Sequence, residues 1–269
     1  MRTRRTMLGI ALGLALIVPS AASAEVDPAA GQPVYPDIVE ALPAQLQIQK
    51  AQQRDMLRFT TVHLNVGPGN LQIRGGGQVA PCVIDGIAYD QCTIATQQIL
   101  DAQGRVAAEQ PAGTALFHPE HNHWHQGAVA LFDLRTVKND EATALANGVK
   151  ITFCFVDVVY FGDPGKKKTY PRDYWECNGD LQGLSAFWGD SYHQSTPLQE
   201  LDVTDVPNGV YYLTHTADPE NNWAEVDETN NFTWVKIRLF TQGGNRKVEI
   251  LATAPCEPVA AVCDPGGNP

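Results

Sequence analysis

Long amphipathic helical patterns are missing from this chain of 269 residues, and so is any fixed-period repeat. Their absence argues against helical bundles and solenoids. Beyond residues 7–18 no long apolar run exists, so nothing in the body of the chain reads as a membrane-spanning helix. Cations are scarce: 19 Lys and Arg stand against 30 Asp and Glu, for a formal charge of −11. Such a balance repels nucleic acid and attracts cationic solutes only as a screened, long-range bias; solubility alone accounts for it equally well. No C-x-x-C pair occurs, which argues against thioredoxin chemistry and thiolate metal sites.

What is present supports a packed domain: 43% of residues are hydrophobic and 18% charged. The N-terminus stands apart from it. Arg2, Arg4 and Arg5 precede an apolar run from Met7 to Val18 and the small-x-small sequence Ala22-Ser23-Ala24. This pattern predicts a cleaved signal peptide over 1–24, with Arg4-Arg5 fitting a general secretory or a twin-arginine leader. Cleavage removes three arginines and takes the charge from −11 to −14. The expected destination is periplasmic, cell-surface or secreted. Six cysteines, an even number in an exported chain, predict disulfides. Spacing favours Cys82–Cys92 and Cys256–Cys263, leaving Cys154–Cys177.

Residues 25–45, rich in Pro and Ala, read as an extended lead-in, 46–256 as the functional domain and 257–269 as a tail. Strands are expected at 55–66, 70–74, 128–135, 149–161, 209–217 and 231–240, each dense in β-branched and aromatic residues. GPGN and GGGQ read as turns, and AQLQIQKAQQ (44–53) is ambiguous. The expected fold is mainly β, an antiparallel β-sandwich with long loops carrying the site.

HPEHNHWH (118–125) holds four of the seven histidines. Imidazole suits copper and zinc, although a polar His-rich loop is the plainer alternative. His121, His123 and His125 alternate, so on a strand they share one face. Metal–nitrogen bonds of about 2.0–2.1 Å cannot join residues spaced about 13 Å along a straight strand. One ion reaches all three only where the backbone bends, and Pro119 and Gly127 flank the run.

The H-x-x-H-x-H-x-H pattern of HPEHNHWH, running into AVALFDLR, resembles the copper site of the lysyl oxidase family. NGVKITFCF is similar to the segment holding that family's cofactor lysine, which implies Lys150. GLSAFWGDSYHQ is similar to the segment with its cofactor tyrosine, which implies Tyr192, and LDVTDVPNGVYY follows the family's aspartate-rich turn. Taken bare, Lys150 is an ordinary strand-end lysine and Tyr192 a half-buried tyrosine. The resemblance implies copper held by His121, His123 and His125, with His118 as a fourth ligand or a supporting hydrogen-bonding group. It implies a lysine tyrosylquinone made from Lys150 and Tyr192, and oxidation of a primary amine or peptidyl lysine by O₂ to an aldehyde, with H₂O₂ and ammonia released. Asp190 is the candidate base, with a turn-capping role in WGDS as its alternative.

The resemblance also implies calcium, held by Asp37, the Ile38 carbonyl, Glu225, Asp227, Asn230 and Asn231, against the alternative of a solvated acidic turn. Departures exist. Glu120 stands where animal members often have cysteine, and Trp188 and Leu198 stand where the family has another disulfide. Paired replacement by apolar residues lets packing substitute for that bond, while the substrate-shaping loops need not match. Two rival classes share these features: an exported copper-binding β-sandwich without oxidase activity, and a calcium-stapled structural domain.

Overall fold

Sequence stretches rich in β-branched residues fold into strands throughout the computed structural model. It describes residues 27, 29–84, 87–119, 122–146, 150–162, 170–177, 179–197, 199–256 and 262–263, with only the backbone of residues 150 and 151. The leader, Glu120, His121, Leu198 and most of the tail lie outside these.

The strands are β1 (Ile38–Glu40), β2 (Ala44–Ala51), β3 (Arg54–Asn65), β4 (Leu71–Ile84), β5 (Ile87–Leu100), β6 (Val106–His118), β7 (His123–Arg135) and β8 (Ala144–Ala146). They continue as β9 (Lys150–Phe153), β10 (Val159–Tyr160), β11 (Leu181–Leu184), β12 (Trp188–Tyr192), β13 (Glu200–Asp202), β14 (Gly209–Ala217), β15 (Phe232–Gln242) and β16 (Asn245–Thr253). All pairings are antiparallel. One sheet runs β1-β3-β12-β10, with β2 and β13 also on β3. The other runs β11-β4-β5-β6-β7-β14-β15-β16, with β8 and β9 on β7. The expected sandwich is what forms.

Alternation explains the packing. Along β15, Thr233, Val235, Ile237 and Leu239 are buried, while Lys236 and Arg238 take the other face. Phe59 of β3 meets Phe132 of β7 edge-on across the sheets, ring centroids 4.9 Å apart. All three expected disulfides are present: Cys82–Cys92, Cys154–Cys177 and Cys256–Cys263.

Several expectations shift. The ambiguous 44–53 stretch is a strand, β2. GPGN is a turn, but GGGQ lies inside β4, where Gly77 has φ 90° and the register slips. A bulge absorbs these glycines without ending the strand. The run 149–161 breaks after Phe153 because Asp157 leaves the sheet to accept four hydrogen bonds, from the amides of Asp173, Tyr174 and Ser185 and from the Ser185 hydroxyl.

The described part of the lead-in is held in place by side-chain hydrogen bonds. Asp101 accepts from the Gly31 amide at 2.7 Å and from the Gln103 and Arg105 amides and Arg105 Nε, each at 2.9 Å. These donors, led by Gly31, hold its carboxyl well below the usual carboxylate range. A depressed folded value stabilises fully above the unfolded value of about 3.9 and is lost as pH falls through the folded one. Asp101→Asn is therefore expected to lower the urea midpoint at pH 7, with the two proteins converging below about pH 4. A midpoint difference that does not change with pH counts against this account.

Candidate metal and tyrosine site

β6 and β7 form a hairpin whose registration sets His118 directly opposite His123 and Leu116 opposite His125. Asn122, at φ 57°, closes it through its amide to the His118 carbonyl at 2.8 Å. His118, His123 and His125 consequently share a face. The Nε2 atoms of His123 and His125 are 3.0 Å apart, and the His118 ring stacks on His125 at 5.0 Å. Just beyond the run the strand bends: Ala128 has φ 50°, and the pairing of β7 with β9 slips between Gln126 and Ala130. Gly127 is required at that bend, since a Cβ would lie 2.9 Å from the Thr114 carbonyl oxygen.

Two nitrogens each about 2.0–2.1 Å from one ion are about 2.9 Å apart at a right angle and about 3.4 Å apart in a tetrahedron. The observed 3.0 Å fits the right angle, the tetragonal arrangement that Cu(II) favours. It serves equally as an N–H···N hydrogen bond between complementary tautomers. His125 Nδ1 lies 3.4 Å from Thr152 Oγ1, a contact that orients the ring.

The same histidines and Tyr192 line one cleft of about 320 Å³, together with Phe153, Val156 and the Cys154–Cys177 bridge. Tyr192 ends β12 and comes from the opposite sheet. Its hydroxyl donates to the Cys154 carbonyl at 3.1 Å and also meets the Asp190 carboxylate. Burial, then the Asp190 charge, raise the phenol well above its ordinary value. Burial pushes the Asp190 carboxyl up to about 7, with the His63 ring, the Val156 amide at 3.3 Å and Tyr192 pulling it back. Asp190 is inside β12 opposite His63, so the turn-capping alternative does not hold.

Lys150 opens β9 with its backbone opposite Leu131 of β7, two residues from Thr152. Its side chain and all of His121 lie outside the described residues. Thr152 and Phe153 were not singled out from the sequence. Their only signal was strand alternation beside Lys150.

At the other candidate cation site, the lead-in meets the β14–β15 loop. Asn230 Nδ2 donates to Asp37 at 2.9 Å, Asn231 Nδ2 donates to Glu225 at 2.8 Å, and the Ile38 amide donates to Glu225. Burial raises Glu225 to about 8. The buried side-chain oxygens of Asn230 and Asn231 have no hydrogen-bond partner among the described residues. Asp227 instead caps its own turn, accepting from the Thr229 amide and hydroxyl at 2.9 and 2.6 Å. The contact seen at Ile38 is through its amide. Oxygen-only donors with two orphaned amide oxygens suit a hard cation such as calcium. Trp188, where the other family disulfide was expected, packs on Tyr160 at 5.2 Å.

A family described as Lysyl oxidase matches residues 94–248 of this chain. Lysyl oxidase homolog 2 of Bos taurus and of Homo sapiens are each 32% identical to it over 124 residues, covering 46% of this chain and 15% of the relative. Lysyl oxidase homolog 3 of Homo sapiens is 31% identical over 117 residues, covering 43% of this chain and 14% of the relative. The matched region is thus about a seventh of these relatives' length.

The Cys154–Cys177 bridge closes a loop with a sequence separation of 23. Replacing both cysteines by serine is expected to cost about 3 kcal/mol, read as a lower urea midpoint. A loss below about 1 kcal/mol would mean that the loop is held by its other contacts.

Proposed function

We propose, on the premise that this chain belongs to the lysyl oxidase family, that it is an exported copper-dependent amine oxidase. Its substrates on this reading are primary amines, peptidyl lysine among them, and its cofactor is a lysine tyrosylquinone made from Lys150 and Tyr192. The observation that carries the proposal is one cleft lined by paired His123 and His125 and by Tyr192, with buried Asp190 behind the phenol. The ligands are His121, His123 and His125, with His118 supporting or joining them. Export is supported by the leader pattern and by three disulfides. No helix among the described residues is long and apolar enough to cross a membrane.

Copper with O₂, when bound, supplies the oxidising power that converts a tyrosine ring to a quinone, and the quinone offers an electrophilic carbonyl to an amine. The chain's own residues do the rest. Thr152 fixes the tilt of His125. The Cys154 carbonyl and Asp190 hold the Tyr192 hydroxyl between two acceptors, so the ring cannot swing from the cleft. Asp190 takes the phenol proton as the ring is oxidised and later the α proton of the bound amine. A carboxyl near 7 is matched to both tasks at neutral pH. Phe153 and Val156 give the cleft an apolar wall beside Tyr192.

The deciding experiment is peptide mass spectrometry after copper loading in air. A cross-linked Lys150–Tyr192 peptide with quinone absorbance is expected. Uncross-linked peptides would leave only a copper-binding sandwich. Lys150→Ala is expected to retain copper and lose amine-dependent H₂O₂ release; peroxide output equal to wild type overturns the assignment.

Calcium is proposed at Asp37, the Ile38 carbonyl, Glu225, Asp227, Asn230 and Asn231, where it would staple the lead-in to the loop. At a hundredfold excess over its Kd it is expected to add about 2.7 kcal/mol to wild-type stability and nothing to Glu225→Gln. Equal gains in both proteins, or none in either, rule the site out.

A further inference from the structure

Deep between the sheets, Glu40, His63 and His215 meet with no exposure to solvent. Glu40 and His63 face each other in the β1–β3 register, and His215 arrives from β14 of the other sheet. One ligand atom from each, a carboxylate oxygen and two ring nitrogens, lies within 4.8 Å of the others. His63 Nδ1 is 2.5 Å from Glu40 Oε1, and His215 Nδ1 is 3.1 Å from Glu40 Oε2. The second approach lacks hydrogen-bonding geometry. Glu40 Oε2, His63 Nε2 and both nitrogens of His215 have no hydrogen-bond partner among the described residues. The backbone of Ala41 approaches the His215 ring without satisfying either nitrogen.

Such a cluster is costly as it stands. A buried polar atom left unsatisfied forfeits its hydration with nothing in return, and four of them sit in one place. The surroundings cannot help: Phe153 lies 4.7 Å from the His63 ring and Phe132 lies 4.5 Å from the His215 ring. Asp190, opposite His63 in the β12–β3 register, adds a second buried carboxyl to the same neighbourhood. His63 Nδ1 and Glu40 Oε1 are hydrogen-bonded to each other, and the remaining nitrogen and oxygen atoms face one another out of hydrogen-bonding line, as ligands around a shared centre do. Two imidazoles and a carboxylate are a zinc donor set.

The geometry points to a second, structural metal site, in which Glu40, His63 and His215 hold a divalent transition ion, zinc by donor chemistry, and tie β1 to both sheets. It is separate from the His118–His125 cleft. Glu40 and His63 precede the stretch matched by the family, residues 94–248. The three side chains have no solvent-exposed surface, so the ion has no open position for a substrate and enters as the chain folds.

The test is to unfold the full chain in denaturant with chelator, refold it with zinc, desalt it, and count metal by mass spectrometry. His123→Ala/His125→Ala, which loses the cleft histidines, is expected to retain one zinc per chain. His215→Phe, which keeps a ring in an aromatic setting, is expected to retain one ion fewer than wild type. A folded His123→Ala/His125→Ala protein without zinc overturns the inference, as does full retention by His215→Phe. Should either variant fail to fold, zinc anomalous scattering from crystals of the unmodified protein decides: a peak among Glu40, His63 and His215 supports the site, and none there refutes it. Wild type holding a single ion that only His215→Phe removes leaves this site standing, while the copper reading of the cleft is decided separately by copper loading and the Lys150–Tyr192 cross-link.

Discussion

A strand that carries two sets of inward residues out of phase cannot run straight, and β7 is such a strand. His123 and His125, at odd positions, face the cleft shared with Tyr192 of the opposite sheet. Phe132, at an even position, faces Phe59 of that same opposite sheet. Strict alternation would send one set outward. From Gln126 to Ala130 β7 uses four residues where β9 uses two, and this bend, with Ala128 at φ 50°, re-aims the histidine end toward the cleft. The cleft histidines and the hydrophobic core therefore share one strand. The core end, with Val129, Phe132 and Leu134 buried, gives the histidine end a rigid base.

Where period and chemistry agree, the fold was legible in the residues. β15 alternates over most of its length, and the expected limits of β14 and β15 nearly coincide with the observed ones. The density of HPEHNHWH singled out the histidines that share the cleft with Tyr192. The break after Phe153 was hidden because the apolar run 149–161 has the composition of one long strand. It is stopped by a buried aspartate whose four donors come from residues 173–185. A partner that distant leaves no mark in the local pattern. The glycines of GGGQ signal a departure from regular backbone, and composition cannot say whether that departure is a turn or a bulge.

Buried polar groups were the least legible of all. His63 and His215 are single histidines in apolar strands, and Glu40 sits in a three-residue strand at the end of the lead-in. Only the crossing of β1, β3 and β14 brings them together. The same holds for Asp190, whose neighbours in WGDS suggest a turn, whereas pairing with β3 buries it beneath Tyr192. Carboxylates acquire their chemistry here from the low dielectric around them, a property of packing rather than of neighbouring sequence.

Cys154 has two parts in the cleft. Its sulfur bonds Cys177 along one wall, and its carbonyl accepts the Tyr192 hydroxyl. The acceptor that holds the phenol is thus anchored by a bond that persists only where thiols are oxidised. Ordering in time follows from this. In a reducing compartment the chain can fold its sheets and still lack a fixed seat for the tyrosine. On the reading proposed above, the cleft would take its final shape only where that bond forms, and any redox chemistry at Tyr192 would wait for it.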